Sequence, residues 1–314
     1  MHVDTRGAIE IARLGARFDW RWTLEDVARF CAAVGWHASE QWDVFGRFVT
    51  NLSIDDPTAR FSVYEGELDH PLIPGETVEY LLACVTDTVD DDDPALPHIV
   101  IDAFAELSHK LSSFTLGPPS SYRPGEMPCV SWEFPAVVAT LLSLREFLVL
   151  KFENPAYREW IDQLDEDDHD GPELEILDPG TSWSSFSATL SKTLVDLPSE
   201  AVINVSSSNL RFLQIAYWHR EADGQSADGF ELRCNIDADP SADGRHLNRP
   251  EIAAGLASSG WQRIENRHGN FWRLQIDWPA RYDDICAVVE KIGVALRDYF
   301  NIESPSQLQL ELIY

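Results

Sequence analysis

The residue types that carry chemistry in enzymes are abundant in this chain but are not arranged in catalytic patterns. The 314 residues include 53 Asp and Glu, nine His and five Cys. Serine-nucleophile, phosphate-loop, dinucleotide and zinc-helix motifs are absent from the sequence. A chain with this many carboxylates contains acid and base pairs by chance. The carboxylates therefore identify no general acid or base. The sequence therefore predicts no catalytic residue, no metal ligand and no cofactor.

One acidic stretch, residues 237–244, superficially resembles a calcium-binding loop. An EF-hand loop needs glycine at its sixth position and a bidentate glutamate at its twelfth. Ala242 and Asn248 occupy these positions. The stretch is therefore not an EF-hand, and a weak, adventitious cation site is the remaining alternative.

Acidic residues dominate the charge of the chain. Only 24 Lys and Arg oppose them, so the formal net charge is -29 at pH 7. Such a field repels nucleic acid, anionic lipid and phosphate-rich substrates, and it attracts cationic surfaces. We therefore expect neither nucleic-acid nor membrane binding. A basic protein partner and plain solubility are both open as reasons for the charge.

Clustered acids and one tryptophan are the candidate contacts for a basic partner. The candidate residues are Asp90, Asp91, Asp92, Asp93, Asp165, Glu166, Asp167, Asp168 and Trp272. We interpret the run before the first four as a strand. A helix there would place these aspartates at the negative end of its dipole, at a cost of up to about 1 kcal/mol each. Trp272 alternates with Phe271 along a predicted strand, so one of the two is expected to point outward. A solvated loop and core packing are the alternatives.

Other tryptophans lie beside predicted helices. Trp20 and Trp22 flank the first predicted helix, and at least one of them is expected to point outward. Gly35-Trp36 and Gly260-Trp261 each follow a helix, where glycine supplies a left-handed C-cap and tryptophan buries a large surface. Core packing is favoured over ligand stacking for both Gly-Trp pairs.

Hydrophobic periodicity predicts the order helix, three strands, helix, two strands, helix in each half of the chain. In the first half these are a helix over 23–34, strands over 44–52, 59–68 and 78–85, a helix over 100–111, strands over 129–134 and 144–152, and a helix ending near 160–161. In the second half they are a helix over 183–194, strands over 201–205, 210–218 and 229–236, a helix over 248–260, strands over 261–265 and 271–278, and a helix over 285–299. An apolar tail over 308–313 is expected to pair along a sheet edge. The predicted class is α+β, with helices packed on antiparallel sheets.

Length and composition predict two domains. Apolar residues make up 44% of the chain, enough for two cores. The predicted limits are 1–164 for the first domain, 165–180 for an acidic linker and 181–314 for the second domain. The N-terminus lacks a signal-like apolar run, and the five scattered cysteines are typical of buried thiols in a reducing cytoplasm.

This element order resembles the type III secretion chaperone-like fold, which is shared with YbjN-type proteins. The second half, over about residues 181–310, is similar to actinobacterial TY-Chap (Tir/YbjN chaperone-like) domains through Phe212-Leu213-Gln214-Ile215-Ala216, Leu256-Ala257-Ser258-Ser259-Gly260-Trp261, Asn270-Phe271-Trp272 and the run 295–302. The first half resembles an actinobacterial domain family of unknown function through Glu25-Asp26-Val27, Gly35-Trp36 and Asn154-Pro155-Ala156-Tyr157. The resemblance implies a chaperone-like or toxin-neutralising protein without catalytic residues, as a homodimer or as a monomer with an internal pseudo-dimer.

These observations favour one function class over two others. The favoured hypothesis is a cytoplasmic, non-enzymatic protein that neutralises or escorts a basic protein, such as a toxin or a secreted effector. The alternative is a small-molecule-binding or regulatory module that uses the cleft between the domains. A hydrolase that uses scattered carboxylates and a metal is the least favoured class.

Overall fold

A computed structural model describes residues 1–38, 46–63, 77–90, 96–159, 173–208, 210, 213–220, 229–237, 249–266 and 269–314. The chain divides into two compact units, one of Met1–Arg123 with Met127–His169 and one of Pro124–Glu126 with Asp170–Tyr314. Each unit holds an antiparallel sheet and helices, so the predicted α+β class is confirmed. The limits 1–164, 165–180 and 181–314 stay a prediction.

The first unit has its helices before and in the middle of its strands. The helices are α1 (Thr5–Arg17), α2 (Leu24–Val34) and α3 (Leu96–Leu111), the last continued by a π-helical turn at Ser112–Leu116. The strands are β1 (His37–Ala38), β2 (Arg47–Val49), β3 (Thr58–Val63), β4 (Val78–Cys84), β5 (Ser121–Arg123), β6 (Cys129–Phe134), β7 (Val137–Leu144) and β8 (Phe147–Glu153). They pair in the order β1-β2-β3-β4-β8-β7-β6-β5.

The first unit contains elements that sequence patterns did not predict. Helix α1 precedes the predicted first helix, and Asp4 caps it by accepting a hydrogen bond from the Gly7 N–H at 2.8 Å. Strand β7 was also not predicted, because the turn between β7 and β8 at Arg145 contains neither glycine nor proline. Residues 155–159 are helical and begin the predicted last helix, whose end lies outside the described residues.

Aromatic rings form the core of the first unit. Trp20 and Trp22 are each 5% exposed and stack with their ring centroids 4.7 Å apart, so the expectation that one points outward was wrong. Each indole N–H donates to a backbone carbonyl at 2.9 Å, Trp20 to Gly15 and Trp22 to Ala136. A satisfied indole can be buried whole, which explains why neither ring needs to face solvent.

Both Gly-Trp pairs end helices as the sequence predicts. Gly35 and Gly260 have φ of 77° and 90°, the left-handed conformation that favours glycine. Trp36 and Trp261 are 4% and 2% exposed, so both tryptophans belong to the core. The Nε1 atom of each is buried and has no hydrogen-bond partner among the residues that the structure describes.

The second unit follows the predicted order closely. Its helices are α4 (Trp183–Val195), α5 (Pro250–Ser258) and α6 (Tyr282–Asp298). Its strands are β9 (Leu174–Leu177), β10 (Val202–Ser206), β11 (Leu213–Arg220), β12 (Gly229–Asp237), β13 (Gln262–Asn266), β14 (Gly269–Trp278) and β15 (Gln309–Ile313). They pair in the order β13-β14-β12-β11-β10-β15-β9. Strand β9 lies in the segment predicted as linker. The apolar tail forms β15 between β10 and β9, so the expectation that it lies at a sheet edge was wrong.

All five cysteines are free thiols, and three of them, Cys31, Cys129 and Cys234, are buried. Burial raises the pKa of Cys31 from 9.0 to about 12 and also raises the pKa of Cys129 and Cys234. A raised pKa in the folded state stabilises the fold fully below the pKa of the unfolded state. That contribution is lost as the pH rises through the folded pKa.

We therefore expect the free energy of unfolding to decrease as the pH rises from 9.0 to about 12. The Cys31→Ala variant should show a decrease that is shallower by about 1.4 kcal/mol per pH unit, because one titrating thiol is removed. Urea unfolding at several alkaline pH values measures both slopes. Equal slopes in the variant and the parent protein would contradict this assignment.

Candidate functional site

The sheet of the second unit has a buried face and a polar face. Ile203, Ile215, Cys234 and Leu274 lie opposite one another across four strands and are almost fully buried. On the same face the hydroxyl of Tyr217 donates to the Leu194 carbonyl in α4 at 3.1 Å. Side chains alternate along a strand, so the residues between them project from the opposite face.

This opposite face contains a cluster of arginines. We call it the arginine face, and it consists of Trp218, Arg220, Glu231, Arg233, Asn235, Phe271, Arg273 and Asp277. The cross-strand register brings them together, because Trp218, Glu231 and Asp277 form one row across β11, β12 and β14, and Asn235 is paired with Arg273 in another row.

Glu231 is the centre of an ion-pair network on the arginine face. It is 2% exposed, and its two carboxylate oxygens accept from different arginines. Nε and Nη2 of Arg220 lie 3.4 Å from Oε2, and Nε of Arg233 donates to Oε1. Arg220 also pairs with Asp277. Burial opposes charge on Arg220, but Asp277 and Glu231 raise its pKa.

Arg273 differs from the other two arginines of this face. Its Nε donates to Oδ1 of Asn235 at 3.0 Å, and its guanidinium lies 5.1 Å from the ring centroid of Phe271. No carboxylate of the described residues forms an ion pair with it. Burial and the neighbouring Arg233 lower the pKa of Arg273. Glu231 opposes this lowering, but among the described residues the partly buried guanidinium of Arg273 has no ion-pair partner.

An aromatic ring borders the arginines. Trp218 is 43% exposed, and the guanidinium of Arg233 lies 5.5 Å from its ring centroid. The arrangement combines a cation–π contact with an apolar surface that is open to solvent. Exposed tryptophan next to arginine is a composition typical of binding hot spots.

Strand β9 forms the outer edge of the same sheet. It is paired with β15 on one side, and no strand of the described residues pairs with its other side. Leu174 and Ile176 are 56% and 69% exposed. Between them lies Glu175, whose Oε2 accepts from the Tyr314 hydroxyl at 3.4 Å. A free strand edge flanked by exposed apolar side chains can receive an extended peptide.

The candidate residues from the sequence differ in where the structure places them: one is exposed, one is buried and the others lie outside the described residues. Asp90 is exposed. The strand predicted over 78–85, before the four aspartates, is present as β4. Asp91, Asp92, Asp93, Asp165, Glu166, Asp167 and Asp168 lie outside the described residues. Trp272 is 4% exposed on the buried face, so it is a core residue and not the outward-pointing member of its pair. Its neighbour Phe271 is the half-exposed one.

Sequence reasoning missed Leu174, Ile176 and the arginine face. A signal was present in the alternation of polar with apolar residues along β12, where the buried Leu232 separates Glu231 from Arg233 and the buried Cys234 separates Arg233 from Asn235. Along β14 the residues Arg273, Gln275 and Asp277 alternate in the same way. This period-two pattern indicates one polar face but does not show which charges meet.

Two family models match the chain, one in each half. Residues 6–154 match DUF6301, a family of unknown function. Residues 178–313 match TY-Chap3, which is described as "T3SS (YopN, CesT) and YbjN peptide-binding chaperone 3". The second half is similar to the TY-Chap3 family. Both predicted resemblances are thus confirmed, and the arginine face and β9 lie in the TY-Chap3-like half. No curated protein and no solved structure gives a significant match.

One cavity of the first unit is lined by polar groups that already have partners within the protein. A cavity of about 350 Å³ in the first unit is lined by Asp4, Arg6, Glu10 and Asn51, among others. These polar groups already bond within the protein: Asp4 accepts from Gly7 and Ser53, and Arg6 pairs with Glu10. Across the residues that the structure describes, no three His, Cys, Asp or Glu side chains converge as metal ligands. Their helices include none with the length and hydrophobicity of a membrane span.

Proposed function

We propose that this chain is a cytoplasmic, non-enzymatic, chaperone-like protein that binds an extended segment of a basic protein partner. The observation that carries the proposal is the exposed edge strand β9, with Leu174 and Ile176 projecting from it. The similarity of residues 178–313 to a family described as peptide-binding supports it. A toxin that is neutralised, or a secreted protein that is escorted, is the proposed partner class.

The chemistry of β9 suggests how such a segment binds. An added strand pairs its backbone with the free edge, and every second side chain then lies beside Leu174 and Ile176. The intervening side chains lie beside Glu175, where a lysine or arginine is favoured. The net charge of -29 steers a basic partner toward the protein, and Asp90–Asp93 and Asp165–Asp168 are proposed to strengthen this attraction.

Capture of the partner by the full chain from its own cells, with identification by mass spectrometry, tests this proposal. We expect one basic protein to be retained at low salt and released at high salt. The double variant Leu174→Ser with Ile176→Ser should bind that protein at least about tenfold more weakly, since two apolar anchors are lost.

Phe114→Ser is the matched control, because Phe114 is 71% exposed but lies in the first unit. The control variant should bind the partner like the parent protein. Equal binding by the β9 double variant, or retention of only acidic proteins, would overturn the proposed function.

A further inference from the structure

Among the side chains that the structure describes, the arginine face has more guanidinium groups than carboxylates. Arg220, Arg233 and Arg273 contribute three guanidinium groups, against the two carboxylates of Glu231 and Asp277. Both carboxylates are engaged by Arg220 and Arg233, whereas Arg273 contacts Asn235 and Phe271 and no carboxylate of the described residues. In a chain that carries 53 acidic residues, a partly buried arginine without an ion pair to any described carboxylate is unexpected. Two adjacent guanidiniums repel each other and favour an added anion.

The geometry allows two arginines to hold one anion. In the register of β12 with β14, Arg233 is opposite Gln275 and Asn235 is opposite Arg273. Arg233 and Arg273 are therefore diagonal neighbours on one face, with Cα atoms about 7–8 Å apart, within reach of long side chains. The Nε atoms are used by Glu231 and Asn235, and the Nη atoms of Arg273 have no partner among the described residues. Guanidinium Nη atoms suit the two oxygens of a carboxylate.

The net charge of the cluster selects between kinds of anion. Three guanidiniums and two carboxylates leave one positive charge, which matches a single carboxylate. A doubly charged phosphate would lie close to the carboxylates of Glu231 and Asp277 with less compensation. The exposed ring of Trp218 beside Arg233 provides an apolar surface next to the anion position.

We propose that the arginine face binds an acidic peptide segment, with a Glu or Asp carboxylate on Arg273 and Arg233 and an apolar side chain on Trp218. This surface is separate from the edge strand. Arg233 lies on β12, four strands from Leu174 on β9, which is about 19 Å at the usual strand spacing. The inference therefore requires neither β9 nor a basic partner.

Calorimetric titration of the full chain with a synthetic peptide tests the proposal. The peptide is extended: every second residue is a leucine or a glutamate, and the residues between them are serines. It is blocked at both ends, so its only anions are glutamates. We expect it to bind the parent protein, and we expect the same peptide with glutamine in place of glutamate to bind at least about tenfold more weakly. Equal binding of the two peptides would overturn the proposal.

Variants of the protein locate the site. Arg273→Gln should lose at least about tenfold in affinity for the acidic peptide. Arg263→Gln is the matched control, because Arg263 is an exposed arginine on β13 that is paired with Glu265, and this variant should bind unchanged. An Arg273→Gln variant that binds like the parent, or an equal loss in Arg263→Gln, would refute the assignment.

Two further measurements separate this site from folding effects and from the edge strand. Arg273→Lys keeps the charge but loses the planar fork, so it should retain more affinity than Arg273→Gln, and equal losses in both would indicate structural damage instead. The Leu174→Ser, Ile176→Ser double variant should bind the acidic peptide like the parent. If that variant loses the basic partner but keeps the acidic peptide, both proposals hold, and each can fail without the other.

Discussion

Replacing Glu231 with glutamine is expected to lower the free energy of unfolding by about 3 kcal/mol. Glu231 is 2% exposed and accepts from both Arg220 and Arg233. Removing its charge leaves two partly buried guanidiniums with one carboxylate, Asp277, which already pairs with Arg220. The loss of a buried partner leaves a charge without compensation, and that penalty exceeds the value of the pair itself.

Chemical denaturation followed by circular dichroism measures this change. Glu265→Gln is the matched control, since Glu265 is also paired with an arginine of the same sheet, Arg263, but both side chains are exposed. The control should change the free energy of unfolding by less than about 1 kcal/mol, as expected for a surface pair. Similar effects of the two substitutions would mean that burial does not set the value of the Glu231 network.

Replacing Phe152 with alanine is expected to lower the free energy of unfolding by about 4 kcal/mol. Phe152 is fully buried on β8, and its ring centroid lies 5.6 Å from that of Phe30 and 6.4 Å from that of Trp20. Removing the ring takes away its buried apolar surface and leaves a cavity under α1. Phe114→Ala, at an exposed position, should have an effect below about 0.5 kcal/mol.

A double-mutant cycle with Gly15 makes this prediction sharper. A Cβ atom on Gly15 would lie 2.1 Å from Cε1 of Phe152, so Gly15→Ala alone should destabilise the fold by about 2 kcal/mol through overpacking. In the Phe152→Ala background the added methyl group enters the cavity, and we expect the cost of Gly15→Ala to disappear. Strictly additive effects of the two substitutions on the free energy of unfolding would show that α1 does not pack against the Phe152 ring.

Much of the second unit was predictable because its signals are local. Helix α6 has apolar residues at helical spacing, including Ile285, Val288, Val289 and Ile292, all of which are buried. Gly260 marks the end of the segment before β13, since its positive φ favours glycine. The first unit was less predictable for two reasons. Helix α1 packs against β7 and β8, which lie far along the chain. Strand β7 is separated from β8 by a turn at Arg145 that contains neither glycine nor proline.

The candidate site likewise combines features that the sequence predicts with features that only the tertiary structure shows. The sequence by itself determined the strong acidic charge, the absence of catalytic motifs, the α+β class and the family resemblances, because composition and short-range periodicity carry this information. The tertiary structure alone decided that Trp272 is buried and that Leu174 and Ile176 lie on an exposed edge. It also decided that Arg233 and Arg273 meet on one face, because the register of β12 against β14 places residues about 40 positions apart next to each other. Register is a property of paired strands, and no single strand contains it.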